Sequence, residues 1–196
     1  MRHSNLIPNL FFILLFGSMF TLAQGQTKFN AKNTVHLSVA GTSTLHDWVM
    51  KTSSGDCTAT LLLDADGNLK DITAMSFSVS SKTLKSGKDG MDNNAYKTLK
   101  ADKNPNITAT FKSGDVTMVD NKNYNLKCII SLNIAGKTID TPLEAQLKKM
   151  NDTSFSVKGE KKISMKEYDM QPPSFMLGAV KTGNDVVLSF DLVLNQ

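Results

Sequence analysis

The chain has 196 residues, 40% of them hydrophobic, and a mild basic excess of +4 at neutral pH, the make-up of an ordinary folded domain. Arg2 is its only arginine, so bidentate reading of guanine and forked clamping of phosphate lack the guanidinium they need. The lysines are scattered rather than clustered; no nucleic acid is expected as a partner.

Residues 1–25 read as a secretory signal peptide. Arg2 and His3 give a short basic start, Leu10 to Phe20 an apolar run, and Thr21–Gly25 small residues for cleavage. The run falls short of the ~20 residues a membrane-crossing helix needs. No cysteine follows it, so no lipid-attachment site is expected there. Residues 26–196 then form one domain without an integral membrane span, and the expected location is the periplasm or the exterior of the cell.

Taken in chain order, most of that domain alternates with period two. Val35, Leu37 and Val39 alternate with His36, Ser38 and Ala40. Cys57, Ala59, Leu61 and Leu63 share one face. Met75, Phe77 and Val79 share another. Between Met91 and Leu99 the period changes: Met91, Ala95 and Leu99 form a helical stripe with Tyr96 beside it. Asp89 or Asp92 is expected to cap this helix, Lys97, Lys100 and Lys103 suit its C-terminal end, and Asn104-Pro105 stops it. Strands resume with Leu126, Cys128, Ile130, Leu132 and Ile134, then Ile139, Leu143, Ala145 and Leu147, then Phe155 and Val157, then Val186 to Leu194. Turns are predicted at Asp66–Asn68, Ser113–Asp115, Asp120–Asn123, Ala135–Lys137 and Thr182–Asp185, with tight hairpins at Asp66-Gly67 and Gly183-Asn184.

Many strands with one apolar face and no alternating helices exclude a parallel α/β fold. The fold class is all-β, and long strands with a single helix favour an antiparallel barrel over a sandwich. A lone amphipathic helix on such a body reads as a lid, and a lid implies a cavity. Cys57 and Cys128 lie on apolar strand faces and read as two small buried hydrophobes rather than a disulfide.

Chemical motifs are sparse. Ser43, His46 and Asp47 resemble a hydrolase triad, but neighbours on a strand point to opposite faces and triads are assembled from distant segments. His46 and Trp48 read instead as anchors of the first bend, with His46 a polar group at the cavity mouth. Beyond the leader only His36 and His46 remain as imidazoles, about 33 Å apart along a straight strand, and no Cys-x-x-Cys occurs, so no metal and no other cofactor are expected. Lys181-Thr-Gly183 lacks the companion motifs of a β-lactamase, and Ser86–Asp89 lacks the glycine and hydroxyl of a phosphate loop.

Four segments in order carry a family resemblance: Gly41-Thr-Ser-Thr-Leu-His-Asp-Trp48; Met91 through Tyr96 to Phe111; Leu132-Asn-Ile-Ala-Gly-Lys-Thr138; and Tyr168-Asp-Met-Gln-Pro-Pro173 followed by the strand 185–194. The chain resembles the YceI-like proteins over about residues 30–194. Asn133 stands where that family usually has Thr, and Asp169-Met170 follows Tyr168 where a Gly is common. The resemblance implies a lipocalin-like barrel of about eight strands with one short helix in a crossing loop. It also implies an exported binder of a polyisoprenoid or fatty-acid-like lipid.

Trp48, Phe77, Met91, Tyr96, Leu99, Phe111, Tyr168, Phe175 and Met176 are the residues expected to line an apolar cavity. Met91, Met165, Met170 and Met176 would supply an adaptable wall. The expected function is non-enzymatic carriage of a long-chain amphiphile. The rivals are a filled barrel acting as an envelope structural or protein-interaction module, and a weak hydrolase or isomerase acting on the lipid. The outer barrel wall leaves a homodimer open.

Overall fold

The computed structural model describes residues 25–32 and 34–196. The segment read as a signal peptide lies outside these residues up to Gln24. The chain builds strands β1 (Gly25–Lys32), β2 (Val35–Ser43), β3 (Trp48–Thr52), β4 (Asp56–Leu63) and β5 (Leu69–Ser80), then helix α1 (Asp89–Thr98). Strands β6 (Asn106–Met118), β7 (Asn123–Ile134), β8 (Lys137–Asn151), β9 (Ser154–Ser164), β10 (Ser174–Phe175) and β11 (Val180–Asn195) complete it.

The first four strands form one long kinked hairpin. β1 pairs with β4 from Gly25↔Leu63 to Lys32↔Asp56, and β2 pairs with β3 from Leu37↔Thr52 to Gly41↔Trp48. An antiparallel meander continues through β4, β5, β6, β7, β8 and β9 to β11. β11 then pairs with β2 (Leu192↔Val35) and reaches β1 at Asn195↔Asn30. The wall closes as a ring of eight strand positions, a lipocalin-like antiparallel barrel.

The two ends of the ring differ. Toward the β4–β5, β6–β7 and β8–β9 turns the interior is solid. Phe29 and Phe155 meet edge to face at 5.6 Å, and Tyr124 tilts against Phe155 at 6.3 Å. The Tyr124 hydroxyl accepts the Leu69 N–H at 3.4 Å, so the buried phenol is not left unpaired. Leu61, Leu69 and Leu147 fill the remaining space. The other end carries the β2–β3 turn, α1, the β7–β8 turn and the crossing from β9 to β11.

α1 spans ten residues and ends in a left-handed residue, Lys100 at φ 51°. The Ala101 N–H returns to the Tyr96 carbonyl and the Lys100 N–H to that of Lys97, the paired closing bonds of a Schellman motif. The expected aspartate cap does not form. Lys88 occupies the N-cap without a side-chain bond. Asp92 turns inward instead, accepting the Ser86 N–H at 2.8 Å and hydroxyl at 2.7 Å and pairing with Lys85 at 3.5 Å.

The predicted turns at Asp66–Asn68, Asp120–Asn123 and Ala135–Lys137 connect strands as expected. Two others do not. Ser113–Asp115 lies inside β6 and Thr182–Asp185 inside β11, each at a register shift in the ladder. Gly183-Asn184 is therefore a bulge and not a hairpin turn; small polar residues serve both uses and look alike in sequence. Cys57 and Cys128 are buried free thiols on β4 and β7, with β5 and β6 between them in the ring.

Candidate functional site: an apolar cavity beneath the helix

The β2–β3 turn builds one side of the open end. Ser43 Oγ donates to the His46 carbonyl at 2.7 Å and accepts the N–H groups of Leu45 and His46, closing the turn on itself. Thr44 ties the turn to β11: its Oγ1 contacts the Ala179 carbonyl and accepts the Lys181 N–H. Trp48 donates from Nε1 to the Thr42 carbonyl at 3.1 Å, which lays the indole across Gly41. A Cβ at Gly41 would sit 2.4 Å from the ring, so this position takes only glycine without displacing the tryptophan.

Two tyrosines brace the neighbouring elements. The Tyr96 hydroxyl lies 2.9 Å from both the Lys82 and Leu84 carbonyls and fastens α1 to the turn before it, while Lys85 Nζ stands 5.2 Å over its ring. Tyr168 is buried at the β9–β11 crossing. Thr141 directs its one hydroxyl proton to the Ile139 carbonyl at 3.1 Å, so Tyr168 donates to Thr141 Oγ1, also at 3.1 Å. Burial pushes the Tyr168 phenol above its usual pKa.

Between these supports α1 roofs a cavity of about 410 Å³. Its helix wall is Met91, Asn94, Ala95, Thr98 and Leu99, the stripe read from the sequence plus two polar positions. Its floor and sides come from inward residues of the strands, among them Val39, Met50, Ile107, Ile134, Ile163 and Leu188. Met165, Met170 and Phe175 close it from the β9–β11 crossing. Among the described residues its polar side chains are Ser43, His46, Lys88, Asn94, Thr98 and Thr182, and no aspartate or glutamate lines it. A mostly apolar concavity of this size with a few polar groups has the form of a small-molecule site.

Of the residues expected on the wall, Trp48, Met91, Leu99 and Phe175 are there, with His46 beside them. Phe77 and Phe111 pack against the core away from the cavity, Tyr96 points to the turn preceding α1, and Tyr168 serves the β9–β11 crossing. The side chain of Met176 is outside the described residues. Sequence reading missed Ile107, Ile134 and Ile163. Their alternation marks them as inward, but only strand height separates a cavity wall from solid core.

The triad geometry is absent at Ser43. Its hydroxyl is engaged with the turn backbone, and His46 Nδ1 lies 2.9 Å from the Asp47 carbonyl rather than on the serine. Among the described residues no cluster of three or more His, Cys, Asp or Glu side chains could hold a metal, and no helix is long and apolar enough to cross a membrane. A second concavity, about 1100 Å³, runs across the outer wall from β7 to β3. Backbone floors it and outward side chains wall it. Lys158–Asp191 at 2.8 Å and Lys127–Glu144 at 3.7 Å neutralise charge within it. Its lining mixes charged and polar side chains with Leu37, Leu126, Ala145 and Phe190.

The family model for the YceI-like domain matches residues 20–194. The chain belongs to the YceI-like family. BcnA of Burkholderia cenocepacia superposes with TM-score 0.62 at 12% identity, covering 81% of this chain and 95% of that one. A polyisoprenoid-binding domain from Saccharophagus degradans, implicated in plant cell wall breakdown, gives 0.59 at 10% identity, covering 87% and 99%. The YceI protein of Campylobacter jejuni gives 0.52 at 19% identity, covering 73% and 84%. Identities this low establish a shared YceI-like fold. No curated protein matches the sequence.

Proposed function

We propose that this YceI-like protein is an exported, non-enzymatic carrier that holds the apolar tail of an amphiphile beneath α1. The observation that carries the reading is the 410 Å³ apolar cavity, which leaves the barrel hollow at one end. A chain of methylenes entering it gains about 0.8 kcal/mol for each one withdrawn from water, less the costs of association. The tail therefore sets affinity, and the polar rim sets orientation. Methionines at 91, 165 and 170 give the wall a polarizable, adaptable surface. The relative named as a polyisoprenoid-binding domain supports an isoprenoid or similar lipid as the ligand class. Export rests on the basic start, apolar run and small residues of positions 1–25.

The test is extraction of the purified protein with organic solvent, followed by mass spectrometry, together with uptake of a fluorescent lipid by the extracted protein. A stoichiometric amphiphile or saturable uptake supports carriage. A clean extract and no uptake would return the protein to the filled-barrel class.

A further inference from the structure

We infer that the open end of the barrel docks on an anionic lipid surface through the hairpin tip Phe175–Val180, which sets the cavity mouth against the bilayer. The inference rests on the carrier reading and adds the surface with which the ligand is exchanged.

The tip breaks the usual chemistry of turns. β10 and β11 pair at Ser174↔Lys181 and Phe175↔Val180, so residues 176–179 form the loop of a hairpin. Such loops are ordinarily built from glycine, proline and small polar residues. Here Phe175-Met-Leu-Gly-Ala-Val180 is six residues without one polar side chain. Leu177 is wholly exposed, at 110% of its reference area. Its backbone is left-handed, φ 56° and ψ 31°, a conformation that glycine or asparagine adopts at less cost. Neither the turn nor the core accounts for a leucine at this point, whereas contact with an apolar phase outside the chain does.

The tip is joined to a second exposed leucine and to the cavity. Thr44 donates its N–H to the Lys181 carbonyl at 3.0 Å, and its Oγ1 lies 3.2 Å from the Ala179 carbonyl, which ties the β2–β3 turn to the hairpin. That turn presents Leu45, 70% exposed. Leu45 and Phe175 also line the cavity, so the exposed apolar surface runs on into its wall. A hydrocarbon tail passing between bilayer and cavity has apolar surface along its way.

Charge chooses the end and the lipid. Lys181 lies along the hairpin, its Cε 4.0 Å from where a Cβ on Gly178 would stand, and Lys88 is on the cavity wall. Among the described residues neither makes an ion pair, whereas Lys85 and Lys137 at this end do. The connecting segments here, 44–47, 81–105, 135–136 and 165–179, hold seven lysines against six acidic residues. Those of the plugged end, 64–68, 119–122 and 152–153, hold one lysine against four aspartates. An anionic surface repels the plugged end and accepts the open one. Met118, Val119 and Met150 are exposed at the plugged end, but Asp120 and Asp152 interrupt them and solid core lies behind.

The experiment labels the tip. Cys57 and Cys128 are buried free thiols, so a cysteine introduced by Leu177→Cys alone takes an environment-sensitive fluorophore in the native protein. Lys122→Cys, at the plugged end, is the control. Each is mixed with vesicles of phosphatidylglycerol and with vesicles of phosphatidylcholine. The expected result is a blue shift of the label at 177 and none at 122, larger with phosphatidylglycerol and reduced by salt. Unlabelled Leu177→Asn keeps the turn, because asparagine suits a left-handed backbone. It should bind phosphatidylglycerol vesicles about tenfold more weakly in flotation and accept fluorescent lipid from them more slowly. It should take up the same lipid from dilute solution as the parent does. A shift at both positions or at neither, or Leu177→Asn matching the parent on vesicles, would overturn the docking. So would a dimer in sedimentation that Leu177→Asn dissolves, since a second copy would then cover the tip. Equal shifts with the two lipids would overturn the role given to the lysines. Uptake from solution without docking overturns this inference alone; docking without uptake from solution overturns the carrier reading alone.

Discussion

Trp48 lies on the bare backbone of Gly41: a Cβ at that glycine would stand 2.4 Å from indole Cζ2 and 2.8 Å from Cε2. The contact joins β2 to β3 at the lip of the cavity and sets the angle at which the tryptophan meets it. Gly41→Val should push the ring off this seat at a cost of about 1–3 kcal/mol, the range for overpacking. Trp48 is the chain's one tryptophan, so its emission reports the change directly. The variant should shift in emission, lose thermal stability and bind lipid less tightly; unchanged emission would contradict the packing described.

Ala95 faces the cavity from α1. Ala95→Trp places a ring in open volume rather than in packed core, so stability should change by no more than about 1 kcal/mol. Lipid capacity should fall sharply. Fluorescent-lipid titration beside a melting curve checks both, and a variant that binds normally would mean the ligand sits elsewhere.

The plugged end and the hollow end should separate under mutation. Phe155→Ala removes a fully buried ring from the Phe29–Tyr124 cluster and should cost about 3–5 kcal/mol in denaturant unfolding. Below its melting temperature the same variant should retain lipid affinity within about twofold, because the lost ring is not on the cavity wall.

Burial pushes the Asp92 carboxyl up, but the Ser86 hydroxyl and N–H and the Lys85 ammonium outweigh it and hold the group below the usual carboxylate range. A depressed folded pKa stabilises the fold above the unfolded value, about 3.9, and that stability is lost as pH falls through the folded value. Asp92→Asn should be less stable than the parent at pH 7, and the gap should narrow below about pH 4. Urea midpoints measured from pH 3 to 7 check the sign. Asp169 beside Lys137 and Asp185 beside Lys162 shift the same way, but they are exposed and contribute less.

Burial pushes the Cys57 thiol up to about 11 and raises that of Cys128 as well. Neither presents thiolate at neutral pH. Both should ignore a disulfide reagent at pH 8 in the native protein and react together once guanidinium unfolds it. Rapid native labelling of either would show that its strand opens locally.

Tyr168 and Thr141 form a buried pair that ties the β9–β11 crossing to β8. Tyr168→Phe should cost about 1 kcal/mol, since Thr141 keeps its bond to the Ile139 carbonyl and is not orphaned. A double-mutant cycle with Thr141→Val measures the coupling.

Period-two alternation determined the all-β class, the strand faces and the buried positions of Cys57 and Cys128, because side-chain direction along a strand is fixed by the backbone itself. The four-residue stripe of Met91, Ala95 and Leu99 likewise announced the helix and the face it turns inward. Thr182–Asp185 misled because a bulge and a turn draw on the same small polar residues, and only the partner strands reveal which one forms. Phe77, Phe111 and Tyr168 looked equivalent to Trp48 and Phe175 because all are aromatic in the right segments. Height along the barrel separates Phe77 and Phe111 from the cavity, and height is fixed by register and closure between strands distant in sequence; Tyr168 instead turns to Thr141 on β8. The sequence alone thus determined which side chains face inward. The tertiary structure decided which of them meet one another and which border the space left over, since packing depends on the distances between neighbouring walls that no single segment encodes.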